Sequence, residues 1–141
     1  MGVSRGTLSA PAAAHYQLLK SFGNSPLMGA SPYASLVQGS DGVLYGLAAN
    51  GGNYAGGALF QVNSDGTDFW ILHQFWAANS DGRTPYAGLI QDSDGALYGT
   101  TLGGGSNDAG TVFVFNLDGR GYRTLYRMST NGVHAGRDPS G

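Results

Sequence analysis

Residues 85–128 read PYAGLIQDSDGALYGTTLGGGSNDAGTVFVFNLDGRGYRTLYRM, and residues 32–75 read PYASLVQGSDGVLYGLAANGGNYAGGALFQVNSDGTDFWILHQF. Shifted by 53 residues, the two align without a gap and agree at 19 of 44 positions. A long fixed period marks a repeat architecture and outranks any local reading of secondary structure. Fragments of the same unit flank the two copies. Residues 16–22 align with 69–75 and 122–128, so that Tyr16, Phe69 and Tyr122 correspond, as do Phe22, Phe75 and Met128. Gly29-Ala-Ser-Pro32 and Gly82-Arg-Thr-Pro85 recur, one residue late, as Gly136-Arg-Asp-Pro139.

Each full unit holds four strand-like runs: 34–38, 43–48, 57–62 and 69–75 in the first copy, and 87–91, 96–101, 110–115 and 122–128 in the second. The third run of the second copy alternates, with Thr111, Phe113 and Phe115 on one side and Val112 and Val114 on the other. Asp-Gly follows the first run at Asp41-Gly42 and Asp94-Gly95, and the third at Asp65-Gly66 and Asp118-Gly119. Between apolar runs this pair signals a hairpin, because glycine accepts the positive φ that the turn requires.

Four antiparallel strands in about 50 residues, repeated in tandem, is the unit of a β-propeller blade. The fold expected is therefore all-β: tandem four-stranded antiparallel repeats of propeller-blade type, in an incomplete propeller of two full repeats. A parallel β-helix needs a much shorter period. A β-sandwich of eight strands gives no reason for the copies to match so closely. The expected organisation is a lead-in at 1–14, the last strand of a preceding repeat with its linker at 15–31, repeats at 32–84 and 85–138, and the start of another at 139–141. On this reading the chain is cut from something longer.

Composition agrees with short strands and turns. The 141 residues include 25 glycines, a single lysine (Lys20) and no glutamate, a poor supply for helices. Only 11% of residues are charged and the formal net charge is −2; without a basic stripe, a nucleic-acid partner is not expected. The absence of cysteine excludes disulfides, thiolate metal sites and a cysteine nucleophile. No apolar run approaches the ~18–20 residues of a membrane span. The first 16 residues lack the continuous apolar core of a signal peptide.

The stretch 89–119, with its counterpart 36–66, resembles the GloVer tandem-repeat family of bacterial surface or secreted proteins. The motif runs P-x-x-x-L-[VI]-Q-x-S-D-G-x-L-Y-G, then a Gly-Gly loop, Gly-x-x-F and a closing Asp-Gly. The resemblance covers residues from about 16 to 139, and a dozen ordered positions recur in both copies. The first copy departs at Leu47-Ala48-Ala49, where the second has Thr100-Thr101. The resemblance implies propeller architecture, export to the cell surface or exterior, and no catalytic residue to carry over.

Candidate chemistry is sparse. Asp41, Asp65, Asp94 and Asp118 suggest calcium, but an EF-hand loop closes with a glutamate, and this chain has none; each Asp is read as capping its own turn. Ser64–Trp70 falls short of an Asp-box, because its Asp, Gly and Trp are wrongly spaced and Arg123 stands where the second copy needs Trp70. Such a box would in any case be a turn element, whereas glycoside hydrolysis needs two facing carboxylates. His15, His73 and His134 are scattered and unmatched between copies, and His73 reads as a half-exposed strand position. Gly103-Gly-Gly-Ser-Asn has neither the lysine nor the helix of a phosphate loop. No catalytic residue, metal site or cofactor is expected.

Loops after strands two and four share one face in this geometry: 50–56, 76–84, 103–109 and 129–138. There the copies diverge, and variable loops on a rigid frame are where binding sits. Tyr54, Trp76, Arg83, Asn107 and Asp108 are the candidate ligand-binding residues, for carbohydrate or protein at the cell surface. For Trp76 the competing reading is a filler of the wedge between units. The function expected is a non-enzymatic scaffold or recognition module; the rival is a fragment of a propeller hydrolase or lyase acting on extracellular polysaccharide. Because stacked repeats bury their faces against neighbours, two units leave two apolar faces uncovered, and self-association or further repeats are expected to cover them.

Overall fold

The structure, a computed structural model, describes residues 2, 17–22, 28–76, 78, 81–118 and 120–130. The lead-in from 3 to 14, His15, Tyr16, His134 and the recurrence at 136–139 lie outside the described residues, as does the start of a further repeat at 139–141.

Among the described residues the chain is all-β, with antiparallel sheets and no α-helix. Strands β1 (Val37–Gln38), β2 (Leu44–Ala48), β3 (Ala58–Val62) and β4 (Trp70–Gln74) form sheet 1 in chain order. A small ladder pairs β5 (Gly82–Arg83) with β8 (Gly103–Gly104). Sheet 2 consists of β6 (Ile90–Gln91), β7 (Leu97–Thr101), β9 (Thr111–Asn116) and β10 (Gly121–Arg127), again in chain order. Neither sheet closes on itself.

The repeat holds at the level of backbone dihedrals. Ser31 and Thr84 both have positive φ, at 59° and 54°, as do Ala55 and Asp108, at 55° and 54°. The registers of the inner strands match as well: Leu44 opposes Val62 as Leu97 opposes Phe115. Both fourth strands bulge at the shared leucine, since Leu72 and Leu125 are passed over in the pairing with β3 and β9. The first strand is shorter than the run 34–38 suggested. Leu36 and Leu89 instead lie against Gly46 and Gly99, so only the last two residues of the run join the ladder. The ladder of β5 and β8 was not foreseen as strand, although its first-copy counterpart is the bridge between Ala30 and Asn50.

Turns form as the Asp-Gly pairs require. Asp41, Asp65, Asp94 and Asp118 each accept a hydrogen bond from the amide two residues on, at 2.9–3.1 Å. Gly42 and Gly95 stand at φ 83° and 82°, a conformation that costs glycine alone nothing.

The sheets stack front to back. The front of sheet 1 offers Tyr45, Leu47 and Leu59; the back of sheet 2 offers Leu89, Leu97, Phe113 and Phe115. Phe75, at the end of β4, is fully buried in the seam, 5.3 Å from the Phe113 ring and 5.7 Å from Tyr122. One repeat earlier the same triad stands on the back of sheet 1: Phe22 lies 5.1 Å from Phe60 and 5.8 Å from Phe69. Residues 17–22 thus sit on sheet 1 as 70–75 sit on sheet 2, but belong to no strand.

Candidate functional site

Loops following β2 and β4 meet along one edge of the stack. Thr84, held at positive φ, donates its amide to the Gly56 carbonyl at 2.7 Å and accepts from the Leu102 amide at 3.0 Å. A β-branched residue in this region is strained, and these two bonds fix it between the loops of both copies. The opposite edge carries the turns, where the Ser40 amide donates to Gln91 Oε1 at 2.8 Å.

Of the five candidate residues, the structure gathers two pairs. The rings of Tyr54 and Trp76 stack at 4.5 Å with planes 13° apart, and remain 50% and 38% exposed. Trp76 is therefore not the wedge filler; Phe75, Phe113 and Tyr122 take that place. Arg83 grips Asp108 through both oxygens, Nε to Oδ1 at 2.9 Å and Nη2 to Oδ2 at 2.5 Å. The Gly104 amide adds a third bond to Asp108 Oδ1 at 2.6 Å. The hydrogen bond from Arg83 is the main reason that the Asp108 carboxyl is held down to about 2. Asn107 stands apart from both pairs and donates to Ser129 Oγ at 3.2 Å.

Asp81 escaped the sequence reading. It anchors the loop after β4: Oδ2 is 2.8 Å from His73 Nε2 and accepts from the Trp76 amide at 3.3 Å, while Oδ1 accepts from the Gly82 amide at 2.7 Å. Burial raises its pKa, but hydrogen bonds from His73 and Tyr122 outweigh that and leave it lowered. The same arrangement pushes Tyr122 up, through burial first and the Asp81 bond second. His73 also stacks flat on Tyr122, at 3.8 Å and 4°. A signal was present. His73 and Asp81 both break the repeat, standing opposite Tyr126 and, by the shifted match of Gly82 to Gly136, Ala135, and paired departures suggest contact.

Chemically, the edge offers two separate features, the exposed aromatic surface of Tyr54 and Trp76 and the self-neutralised clamp of Arg83 and Asp108. Such a clamp holds Asp108 ionised and occupied, which suits fixing a loop more than transferring a proton.

The profile of the Gloeobacter/Verrucomicrobia repeat matches residues 4–141. The chain belongs to this repeat family. Both copies of the Gloeobacter/Verrucomicrobia repeat lie inside the match, including the loops that carry Tyr54, Trp76, Arg83 and Asp108. No curated protein matches the chain.

Proposed function

We propose that the chain is a non-enzymatic recognition module, built of β-propeller-type blades and working at the bacterial cell surface or exterior, with carbohydrate as its ligand. The observation that carries this reading is the Tyr54–Trp76 stack, half-exposed on loops that the two copies do not share. The stacked pair loses little side-chain freedom on binding, and a sugar ring can lie against its open face. Support for the propeller comes from two meander sheets stacked front to back, with tight turns on one edge and variable loops on the other. Support for a non-catalytic role comes from six described aspartates: Asp41, Asp65, Asp94 and Asp118 serve turns, Asp81 anchors a loop and Asp108 sits in the Arg83 clamp.

A glycan array probed with the full chain and with Trp76→Ala and Tyr54→Ala tests the reading. Binding of at least one glycan class, reduced tenfold or more by either substitution, is expected; tenfold corresponds to about 1.4 kcal/mol. No glycan bound, or binding indifferent to both substitutions, overturns it.

A further inference from the structure

The inner seam is a template for a contact that the outer faces of this molecule are each shaped to make. Two equivalent pairs of residues mark those faces. Leu89, on the back of sheet 2, is 7% exposed because sheet 1 covers it, whereas its counterpart Leu36, on the back of sheet 1, is 45% exposed. Val37, on the front of sheet 1, is half-buried against the core, whereas its counterpart Ile90, on the front of sheet 2, is 66% exposed. Tyr98, Thr100 and Val112 share that front with Ile90, standing where Tyr45, Leu47 and Leu59 stand in sheet 1. A groove of about 520 Å³ lies there, lined in part by Ile90, Tyr98, Thr100 and Val112. On the back of sheet 1 a groove of about 250 Å³ is lined in part by Leu18, Leu36, Phe60 and Val62.

We propose that a second copy of this chain docks head to tail, the front of its sheet 2 seating on the back of sheet 1 and reproducing the internal seam. Continuity with that seam identifies the occupant: the two open faces carry the same residue positions that already fit each other inside the molecule. The seat is partly held by residues 17–22, which occupy the position of a fourth strand without pairing in any sheet of the described residues. The incoming β10 displaces them, bringing Leu125 and Met128 to the places of Leu19 and Phe22. Unlike faces meet, so the contact is heterologous and adds copies head to tail, into a ring where the rotation closes and a filament where it does not. It does not depend on what the loop edge binds.

The test uses the full chain and two variants at exposed positions, Ile90→Lys on the front and Leu36→Lys on the back. In sedimentation across a concentration series, the unsubstituted chain is expected to grow in mass. Each variant alone is expected to stay monomeric. An equimolar mixture is expected to form a 1:1 dimer and nothing larger, because it holds one intact front and one intact back; that dimer also shows both variants to be folded. Amide exchange of residues 17–22 is expected to quicken on assembly. A chain that stays monomeric, a variant that still associates, a mixture that fails to pair, or slower exchange at 17–22 overturns the proposal.

Discussion

Gly46 and Gly99 close the shared Leu-Tyr-Gly, and each lies beneath an aromatic ring of the next strand. A β-carbon on Gly99 would stand 2.5 Å from Phe113 Cζ and 3.1 Å from Leu89 Cδ2, and one on Gly46 would stand 2.5 Å from Phe60 Cζ. Phe113 is fully buried and cannot swing clear. Gly99→Ala should therefore destabilise by about 1–3 kcal/mol, the usual cost of overpacking; a denaturant midpoint equal to that of the unsubstituted protein would refute the steric account. A second test comes from Thr101 and Thr111, the buried pair standing where the first copy has Ala48 and Ala58. The Thr101 hydroxyl donates to the Gly103 carbonyl at 2.9 Å, so the Thr111 hydroxyl donates to Thr101 Oγ1 at 2.8 Å. Thr101→Ala alone strands Thr111 and should cost about 1–3 kcal/mol. Adding Thr111→Ala should cost less than its own single substitution, with a coupling of at least about 0.5 kcal/mol. Additive effects in that double-mutant cycle would dismiss the pair as a unit. The sequence carried the departure of Ala48-Ala49 from Thr101-Leu102, but not its meaning, because hydroxyl pairing across β7 and β9 depends on register.

At the scale of elements, the Asp-Gly turns and the inner strands could be read directly, because local chemistry decides them. The bulges at Leu72 and Leu125 could not: which residue of a fourth strand is passed over is decided by its register against β3 and β9. Nor could the anchor of Asp81, which depends on two strand ends meeting across the seam. That seam carries a pH dependence. Tyr45, raised by burial and by its 2.6 Å bond to Asp41, and Tyr122, raised by burial and Asp81, both hold their protons more tightly when folded. Their contribution is whole below the ordinary tyrosine value of 10.0 and is lost as pH rises above it, since only the unfolded chain ionises there. Asp81, lowered on balance, acts on the other side: its contribution is present above the ordinary carboxylate value of 3.8 and disappears as pH falls below it. Urea unfolding across pH should give a plateau with losses at both ends. Tyr122→Phe should flatten the alkaline limb, and an unchanged limb in that variant would exclude the tyrosine as its source.

For the whole molecule, the spacing of 53 residues implied that like positions meet unlike ones across each seam. The order of stacking was thus legible, whereas the faces chosen were not, since Leu44, Tyr45 and the positions beyond alternate sides. A stack of this kind derives its cooperativity from its seams. Phe75 is the residue to remove, being fully buried and in ring contact with His73, Phe113 and Tyr122. Phe75→Ala should cost about 3–5 kcal/mol, as for other large core truncations. Phe22→Ala removes the same side chain from the same place one repeat earlier, yet should cost clearly less: Phe22 is only half-buried, and residues 17–22 join no sheet. Tryptophan fluorescence and far-ultraviolet circular dichroism, followed together through thermal unfolding, measure both. Coincident transitions are expected for the unsubstituted chain and Phe22→Ala, and separated ones for Phe75→Ala, where the sheets lose their common seam. Equal costs for the two substitutions would mean that the seam between the sheets is no more than another surface contact.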